Sequence, residues 1–148
     1  VLMVFDLDHF HFVNDRFGRD EGDRALRAFA HVLHREVRPP DIVARVGDEE
    51  FALFMPSIRQ DVGLSIAEYL CRRTEELRLT TKDGEHIPLT TSVGVAAVAD
   101  VGAAIGSLMA AAGAALAEAK RIGRNRCRVY RAASKTHGRM LDDWLKTG

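Results

Sequence analysis

The sequence predicts an α/β (α+β) fold in which a central, mostly antiparallel β-sheet is flanked by helices. Three observations support this prediction: an uninterrupted apolar run at the start, paired short apolar runs around a Gly-Asp turn, and three stretches with apolar residues at helical spacing. With 148 residues, of which 47% are hydrophobic and 28% charged, the chain is expected to form one domain around a single core.

The first predicted elements are a buried strand and two helices. Residues 1–5 are all apolar, as expected of a central strand that is covered on both faces. A short helix is expected to follow and to end at Gly18. Apolar residues at helical spacing then predict a longer helix over about 21–38, which Pro39 and Pro40 end.

A hairpin and another helix come next. Residues 42–46 and 51–54 are predicted as strands on either side of Gly47-Asp48, a dipeptide that favours a tight hairpin turn. The apolar residues between positions 66 and 77 recur at helical spacing and predict an amphipathic helix.

The second half of the chain is predicted to contain a further hairpin, a helix and a last strand. The hairpin tip is expected at residues 82–84, with residues 87–89 leading directly into a returning strand over 90–98. A helix with one apolar face is predicted over 105–119, and a strand over 126–130.

The expected domain spans residues 1–133. The polar tail, residues 134–148, is expected to hold only a short helix near 140–145. The chain starts with valine inside a predicted strand, so we expect a fragment of a longer protein that lacks the segment before this strand.

The charge balance and the length of the apolar runs indicate which kinds of partner to expect. Lysine plus arginine equals aspartate plus glutamate, at 21 each, so no overall field favours nucleic acid and none is expected as a partner. No apolar stretch approaches the roughly 20 residues of a membrane span, and no secretory signal is visible. We expect a cytoplasmic domain without membrane contact of its own, which a larger parent protein could still anchor to a membrane.

Acidic residues end the first strand and fill the hairpin tip. Asp6 follows the apolar run, where a strand can hold a carboxylate rigidly at the edge of a cleft. Glu49 and Glu50 lie beside the predicted turn, and one of them approaches Asp6 if the two strands are neighbours. Clustered carboxylates repel each other and favour a bound cation, and oxygen ligands of this kind suit Mg²⁺. The alternative is an acidic turn that contacts only solvent.

Two basic residues, Lys120 and Arg124, are predicted to lie on one face at the end of the last helix. A pair with this spacing can bind phosphates. Basic side chains at a helix C-terminus also interact favourably with the helix dipole, which is the alternative explanation. Together with the acids, the pair predicts a nucleoside triphosphate site only if the fold brings both groups together.

Four motifs occur in order between residue 1 and about residue 129. They are Phe5-Asp6-Leu7-Asp8-His9-Phe10 with Val13-Asn14-Asp15, Gly18 and Gly22-Asp23; the hairpin Arg45-Val46-Gly47-Asp48-Glu49-Glu50-Phe51; Ser92-Val93-Gly94-Val95; and Ala119-Lys120-Arg121-Ile122-Gly123-Arg124-Asn125-Arg126. In this order they resemble the signatures of the GGDEF, or diguanylate cyclase, family, with a divergent Gly-Asp-Glu-Glu-Phe hairpin. The resemblance implies a palm-like nucleotide-cyclase fold.

The resemblance also implies a metal site and a catalytic pair. The carboxylates of Asp6 and Glu49 and the carbonyl of Leu7 would hold Mg²⁺ (or Mn²⁺) against a triphosphate. Glu49 and Glu50 are the candidate catalytic residues.

Further residues are implied to contact the substrate. Asn14 and Asp23 would read the edge of the guanine base. Lys120 and Arg124 would bind the β- and γ-phosphates. The remaining candidate substrate-binding residues are Phe10, His11, Gly47 and Asp48.

The implied reaction is the condensation of two GTP molecules into cyclic di-GMP and pyrophosphate in bacterial signalling. Each copy of a homodimer would hold one GTP, so that a single copy contains half of the site. Fusion to other regulatory or sensor domains is also expected.

A second nucleotide site is implied by Arg38-Pro39-Pro40-Asp41, which lies five residues before Gly47. It resembles the family's inhibitory Arg-x-x-Asp motif, in which Arg38 and Asp41 would bind the product cyclic di-GMP. The alternative is a basic helix end followed by a turn aspartate. Tyr69 stands where an arginine often completes this site, and the neighbouring Arg72 is the alternative residue for that role.

Two departures from the family pattern leave the activity open. Asp48 replaces a glycine; aspartate tolerates a positive φ, so the turn can survive. Its carboxylate would repel a phosphate charge 4 Å away by roughly 4 kcal/mol at an effective dielectric constant of about 20, unless it turns outward or joins the metal ligands. His11 replaces a lysine that contacts phosphate. Three interpretations therefore stay open: an active diguanylate cyclase; a degenerate, catalytically weak or inactive module that binds GTP or cyclic di-GMP; and a structural or dimerising role or another nucleotide cyclase chemistry.

Overall fold

The computed structural model describes residues 1–133. The predicted helix near residues 140–145 therefore lies outside the described residues. The described residues form seven strands and five helices. The strands are β1 (Leu2–Leu7), β2 (Ile42–Arg45), β3 (Glu50–Phe54), β4 (Leu79–Thr80), β5 (His86–Ile87), β6 (Thr91–Ala96) and β7 (Cys127–Val129). The helices are α1 (Phe10–Phe17), α2 (Arg19–Glu36), α3 (Gln60–Glu75), α4 (Val98–Val101) and α5 (Ile105–Arg121). Their order along the chain is β1-α1-α2-β2-β3-α3-β4-β5-β6-α4-α5-β7.

Five strands form the central sheet in the order β2-β3-β1-β6-β7, and β4-β5 form a separate hairpin. Neighbouring strands of the central sheet are antiparallel except for β6 and β7, which are parallel. Helices α1, α2 and α3 contribute to the apolar cluster on one face, and α5 covers the other face. The predicted mostly antiparallel sheet flanked by helices is thus confirmed.

The central strand β1 determines where the first acidic residue lies. Every residue of β1 is buried, as expected of a strand between two neighbours and two helical layers. Successive side chains point to opposite faces, so Phe5 and Leu7 join the core beneath α1–α3 while Val4 joins the core beneath α5. The alternation therefore places Asp6 on the α5 side, where this helix ends.

Helix α5 approaches the sheet closely because β6 carries a glycine beneath it. A Cβ atom on Gly94 would lie 1.9 Å from the carbonyl oxygen of Ala112 and 2.5 Å from the backbone nitrogen of Leu116. Any other residue would push the helix backbone away from the strand. Gly94 thereby brings the end of α5, with Lys120, down to the level of β1.

Two predicted elements differ from the structure. Helix α2 spans Arg19–Glu36, so it begins and ends earlier than predicted. Its C-terminal end is set by Val37, which is already extended at φ −95° and ψ 146°. The predicted strand that runs from the outer hairpin into residues 90–98 is two strands, β5 and β6, separated by a segment with Pro88, which lacks an N–H to donate to a sheet. Among the described residues, none of the helices is both long and apolar enough to traverse a bilayer.

Candidate functional site

The acids and the basic pair meet at a small cleft beside the end of β1. Its volume is about 110 Å³, a few times the roughly 30 Å³ that one water molecule occupies in the liquid. The Nζ atom of Lys120 lies 2.5 Å from Oδ2 of Asp6, which is buried. The cleft is lined by Asp6, Leu7, Asp8, His9, His11, Glu49, Lys120 and Arg124. The convergence on which the nucleotide site depends is therefore present.

The acidic side of the cleft consists of Asp6 and Glu49. Burial raises the pKa of Glu49, and the nearby charge of Asp6 raises it further, whereas Lys120 and His11 lower it. The backbone N–H of Leu7 donates to the Glu49 carbonyl at 3.1 Å and fixes the hairpin against β1. Two carboxylates that disfavour each other's charge therefore face one small space.

A divalent cation with oxygen ligands fits this donor set. Within residues 1–133, no group of three or more His, Cys, Asp or Glu side chains is arranged to hold a metal. Mg²⁺ commonly binds through one or two carboxylates and completes its shell with water and substrate phosphates. Asp6 and Glu49 supply that number, and the pKa of Glu49 is raised first by burial and then by the negative charge of Asp6, both of which a bound cation would offset.

The hairpin turn, residues 46–49, is closed by local bonds. The N–H of Val46 donates to the Glu50 carbonyl at 2.9 Å. The Arg45 guanidinium donates to the carbonyls of Gly47 at 3.1 Å and Asp48 at 2.6 Å. Neither Gly47 nor Asp48 has a positive φ, so the expected need for a tolerant residue in this turn does not arise.

The side chain of Asp48 is exposed and does not line the cleft. In this structure the Asp48 carboxylate is thus not among the groups that face the cleft. Glu50 pairs with Asp6 across β3 and β1 and lies beside Gly47, where an added Cβ would be 2.9 Å from Oε2 of Glu50. Unlike Glu49, Glu50 is not among the residues that line the cleft.

The basic side of the cleft has a different backbone from the predicted one. Lys120 is in the last turn of α5, but the helix ends at Arg121, so Arg124 is not on a helix face. Gly123, Arg124 and Asn125 have φ values of 129°, 61° and 44°. We call these three residues the basic corner. The corner returns the chain toward β1, and Arg124 reaches the cleft from the turn.

Residues of α1 and its N-terminus border the cleft from a third side. His9 and His11 both line it, with ring centroids 6.4 Å apart. Phe10 points the other way and is buried, so its ring is unavailable to a ligand. His11 lies near enough to Glu49 to influence its pKa.

The candidate guanine-reading residues lie where α1 meets α2. An added Cβ on Gly22 would be 1.8 Å from Oδ1 of Asn14, so the absence of a side chain there lets Asn14 lie against α2. Asp23 is the next residue and is exposed. Neither Asn14 nor Asp23 lines the cleft itself.

The candidate product site is separate from the cleft. Arg38 and Asp41 form a local turn, in which the Asp41 N–H donates to the Arg38 carbonyl at 2.7 Å and the Arg38 N–H donates to Oδ2 of Asp41 at 3.2 Å. The Arg38 side chain is exposed. Tyr69 donates its hydroxyl to Oε1 of Glu36 at 3.4 Å.

Two residues at the cleft, Asp8 and His9, and one that closes the hairpin turn, Arg45, had no role assigned from the sequence. Asp8 and His9 belong to the first motif and directly follow Asp6-Leu7. Arg45 opens the hairpin motif. Membership of these residues in the motifs was the available signal. Asp8 bonds to residues that are distant in sequence, and Arg45 bonds to backbone carbonyls, and a pattern of residue types shows neither kind of contact.

Comparisons with known proteins agree with this geometry. The family model "Diguanylate cyclase, GGDEF domain" matches residues 1–126. The probable diguanylate cyclase DgcT of Escherichia coli is 34% identical over 128 residues, which is 84% of this chain and 28% of DgcT. The response regulator PleD of Caulobacter vibrioides is 37% identical over 124 residues, which is 83% of this chain and 27% of PleD. The chain thus spans less than a third of these two curated relatives.

Solved structures show the same fold. The active GGEEF domain of a diguanylate cyclase from Vibrio cholerae matches with a TM-score of 0.80 and 30% identity, over 89% of this chain and 83% of that one. The GGDEF domain of DgcB from Caulobacter crescentus, in complex with c-di-GMP, matches with a TM-score of 0.81 and 34% identity, over 88% and 77%. The strand order, the cleft and these matches lead to one conclusion: the chain belongs to the GGDEF domain family.

Proposed function

We propose that this domain is a diguanylate cyclase that condenses two GTP molecules into cyclic di-GMP as a homodimer, with Mg²⁺ or Mn²⁺ as cofactor. The observation that supports this is the cleft in which the carboxylates of Asp6 and Glu49 face the cationic side chains of Lys120 and Arg124. Acids for a metal and bases for phosphates are the two halves of a triphosphate site.

Asp6, Glu49 and the Leu7 carbonyl would hold the metal ion. When bound, the ion supplies charge neutralisation and polarises phosphate oxygens. Lys120 and Arg124 would bind the β- and γ-phosphates, and the Lys120 ammonium lies 2.5 Å from Oδ2 of Asp6, one of the proposed metal ligands. His11 adds a donor at the position of the family's lysine.

The base would be read at the junction of α1 and α2. The Asn14 amide and the Asp23 carboxylate supply a donor and acceptors that match the guanine edge. The buried Phe10 supports this junction from below, since its ring also lies within 3.3 Å of the position of a Cβ on Gly22. Phe10 would therefore contact substrate through its backbone.

Each of the two reaction steps forms one bond and breaks one. The 3′-hydroxyl oxygen of one GTP bonds to the α-phosphorus of the other, and the bond from that phosphorus to the bridging oxygen of pyrophosphate breaks. The hydroxyl proton leaves with the help of a carboxylate, for which Glu49, in the cleft, is the better placed of the two candidates. Because each copy holds one GTP, alignment requires a second copy.

The experiment is a turnover assay with GTP and Mg²⁺ over a series of protein concentrations, with cyclic di-GMP quantified by chromatography. Turnover per chain is expected to rise with protein concentration because two copies form the site. Glu49→Ala should weaken Mg²⁺-dependent GTP binding by tenfold or more, whereas Glu75→Ala, an exposed change on α3, should not. Absence of product at every concentration, also in Asp48→Gly, would reject the enzyme.

The second candidate function is a module that binds cyclic di-GMP without turnover. The histidine at position 11 and the exposed Arg38 beside Asp41 favour it. Calorimetry with cyclic di-GMP separates this function from the first, because binding that is lost in Arg38→Ala, in a protein without turnover, is its expected signature. Fusion to regulatory domains fits either function, as does a cytoplasmic location.

A further inference from the structure

The basic corner has a backbone that needs an external support. Gly123, Arg124 and Asn125 all have positive φ values, of 129°, 61° and 44°. Glycine adopts positive φ freely and asparagine tolerates it, whereas arginine adopts it rarely, and three such residues in succession are uncommon. A helix that simply frayed here would not produce three such residues in succession, so specific contacts must hold them.

Two of the three backbone N–H groups of the basic corner bond to carbonyls at the end of α5, and the third does not. Gly123 and Arg124 donate their N–H groups to the carbonyls of Lys120 at 3.4 Å and Ala119 at 3.0 Å, as at other helix ends. The Asn125 N–H instead donates to Oδ2 of Asp8, at 2.9 Å, across 117 positions of sequence. The Asp8 carboxylate therefore fixes the last residue of the basic corner, after which the chain continues to β7.

Asp8 is itself rigidly held. It is 7% exposed, and its carboxylate accepts from the Ser92 hydroxyl at 2.7 Å and the Thr90 hydroxyl at 2.8 Å. With Asn125, three donors occupy a carboxylate that offers about four acceptor positions. Although Asp8 borders the cleft and lies two residues after Asp6, its oxygens are directed at protein donors.

We propose that Asp8 is a positioning residue that acts through Arg124: by holding the Asn125 N–H, it fixes the basic corner so that the Arg124 guanidinium faces the cleft and its phosphate. The proposal rests on the proposed nucleotide site and adds a residue to it. It assigns Asp8 a role different from that of Asp6, which faces the cation.

The first test needs no nucleotide. Hydrogen exchange of the Asn125 amide should be at least tenfold faster in Asp8→Ala than in the unchanged protein. In Asp8→Asn it should stay within threefold, because the amide oxygen can accept from Asn125 and Thr90 while the amide nitrogen donates to Ser92. Unchanged exchange in Asp8→Ala would overturn the proposal. Thr90→Val, which removes one bond to Asp8 but leaves Asn125 bonded, is the matched control and should show a smaller effect.

The second test is a double-mutant cycle with inorganic triphosphate as the probe. Asp8→Ala and Arg124→Ala should each weaken its binding about tenfold, and the double variant should bind no more weakly than the weaker single one. Multiplied effects would mean that Asp8 acts independently of Arg124 and would overturn the proposal. Asp8→Ala combined with Lys120→Ala should multiply, since Lys120 lies on α5 before the corner.

Asp8→Asn keeps the proposal testable should Asp8→Ala fail to fold. A positioning role predicts that Asp8→Asn keeps both triphosphate affinity and its Mg²⁺ dependence within threefold. Loss of the Mg²⁺ dependence alone would make Asp8 a metal ligand and overturn the proposal. A protein that shows the Asn125 exchange pattern but never converts GTP would refute the proposed enzyme while leaving the role of Asp8 in place.

Discussion

Two turns border the cleft, the hairpin turn at 46–49 and the basic corner at 123–125. In each of them the sign of φ differs from the one that the sequence suggests. The hairpin turn contains Gly47-Asp48 and was expected to need a residue tolerant of positive φ, yet neither residue has one. The basic corner was expected to continue a helix, yet all three of its residues have positive φ.

The difference lies in the range of the hydrogen bonds. The bonds that close the hairpin turn join residues between positions 45 and 50, so its conformation is specified mainly by its own neighbours, and the bond from the Leu7 N–H to the Glu49 carbonyl attaches the closed turn to β1. The basic corner depends on Asp8, at the other end of the chain. A local pattern therefore predicts the existence of the first turn but cannot predict the geometry of the second.

The largest expected effect comes from disturbing the packing of α5, the helix that leads into the basic corner. In Gly94→Ala, the new methyl group would overlap the Ala112 carbonyl, since the two atoms would be 1.9 Å apart. The obstruction is backbone, which cannot rotate away, so we expect the free energy of unfolding to fall by about 3 kcal/mol or more. Urea denaturation measures this.

Gly113→Ala is the matched control, because it adds the same methyl group within α5 itself. No atom lies within 4 Å of its Cβ position, and alanine is the better helix former. The free energy of unfolding should rise by about 0.5–1 kcal/mol. A similar loss in both variants would show that α5 tolerates no change at all, and the close approach at Gly94 would not be the cause.

The elements that were predictable from sequence are those with a local signal. The apolar run of β1, the helical periodicities and the hairpin all have the predicted type, because burial on one or both faces imposes a repeating pattern. The position of Asp6 on the α5 side follows from strand alternation once the neighbours are known. Helix ends and the break before β6 were misplaced, since single residues such as Val37 and Pro88 decide them.

The structure brings predicted acidic and basic residues together, but with a geometry that the sequence did not predict. Lys120 and Arg124 do meet Asp6 and Glu49, although the helical spacing invoked for the basic pair does not exist. The outward direction of Asp48 could not be inferred from the sequence, because it depends on how Arg45 closes the turn. Asp8 escaped notice because its donors lie in β6, in the loop before it, and in the basic corner.

An effect of intermediate size is expected from one alanine substitution in each turn, which compares the two turns by backbone strain. Asn125→Ala places alanine at a φ of 44°, where it lacks the tolerance of asparagine, and should lower the free energy of unfolding by about 1 kcal/mol. Asp48→Ala, at an exposed site without positive φ, should change it by less than about 0.5 kcal/mol. Thermal or urea unfolding of the two variants gives the comparison.

Asn125→Gly is the control for Asn125→Ala. Glycine also lacks the asparagine side chain, but it adopts a positive φ without strain. Its free energy of unfolding should lie within about 0.5 kcal/mol of the unchanged protein. Equal losses in the alanine variants at 48 and 125 would contradict the assignment of strain to the basic corner.

The smallest effect concerns charge in the hairpin turn and depends on pH. Burial and the nearby Asp6 raise the pKa of Glu49 above its ordinary value of 4.5. Between the ordinary and the raised pKa the folded protein therefore binds more protons than the unfolded chain, so stability falls as the pH rises through this window. Above the raised pKa the full cost of the charged carboxylate is present.

Glu49→Gln removes that cost without changing the size of the side chain. In metal-free buffer at pH 7 the variant should be more stable than the unchanged protein, by less than about 1 kcal/mol because solvent screens a partly exposed carboxylate. The gain should shrink as the pH falls through the raised pKa toward 4.5, because Glu49 takes up its proton in the folded state before it does so in the unfolded chain. Strain in the basic corner has no such charge, so Asn125→Ala should carry the same penalty at pH 7 and pH 6. A Glu49→Gln gain that is constant with pH, or a loss at pH 7, would mean that the carboxylates at the cleft do not oppose each other, and the argument for a cation between them would lose its electrostatic basis.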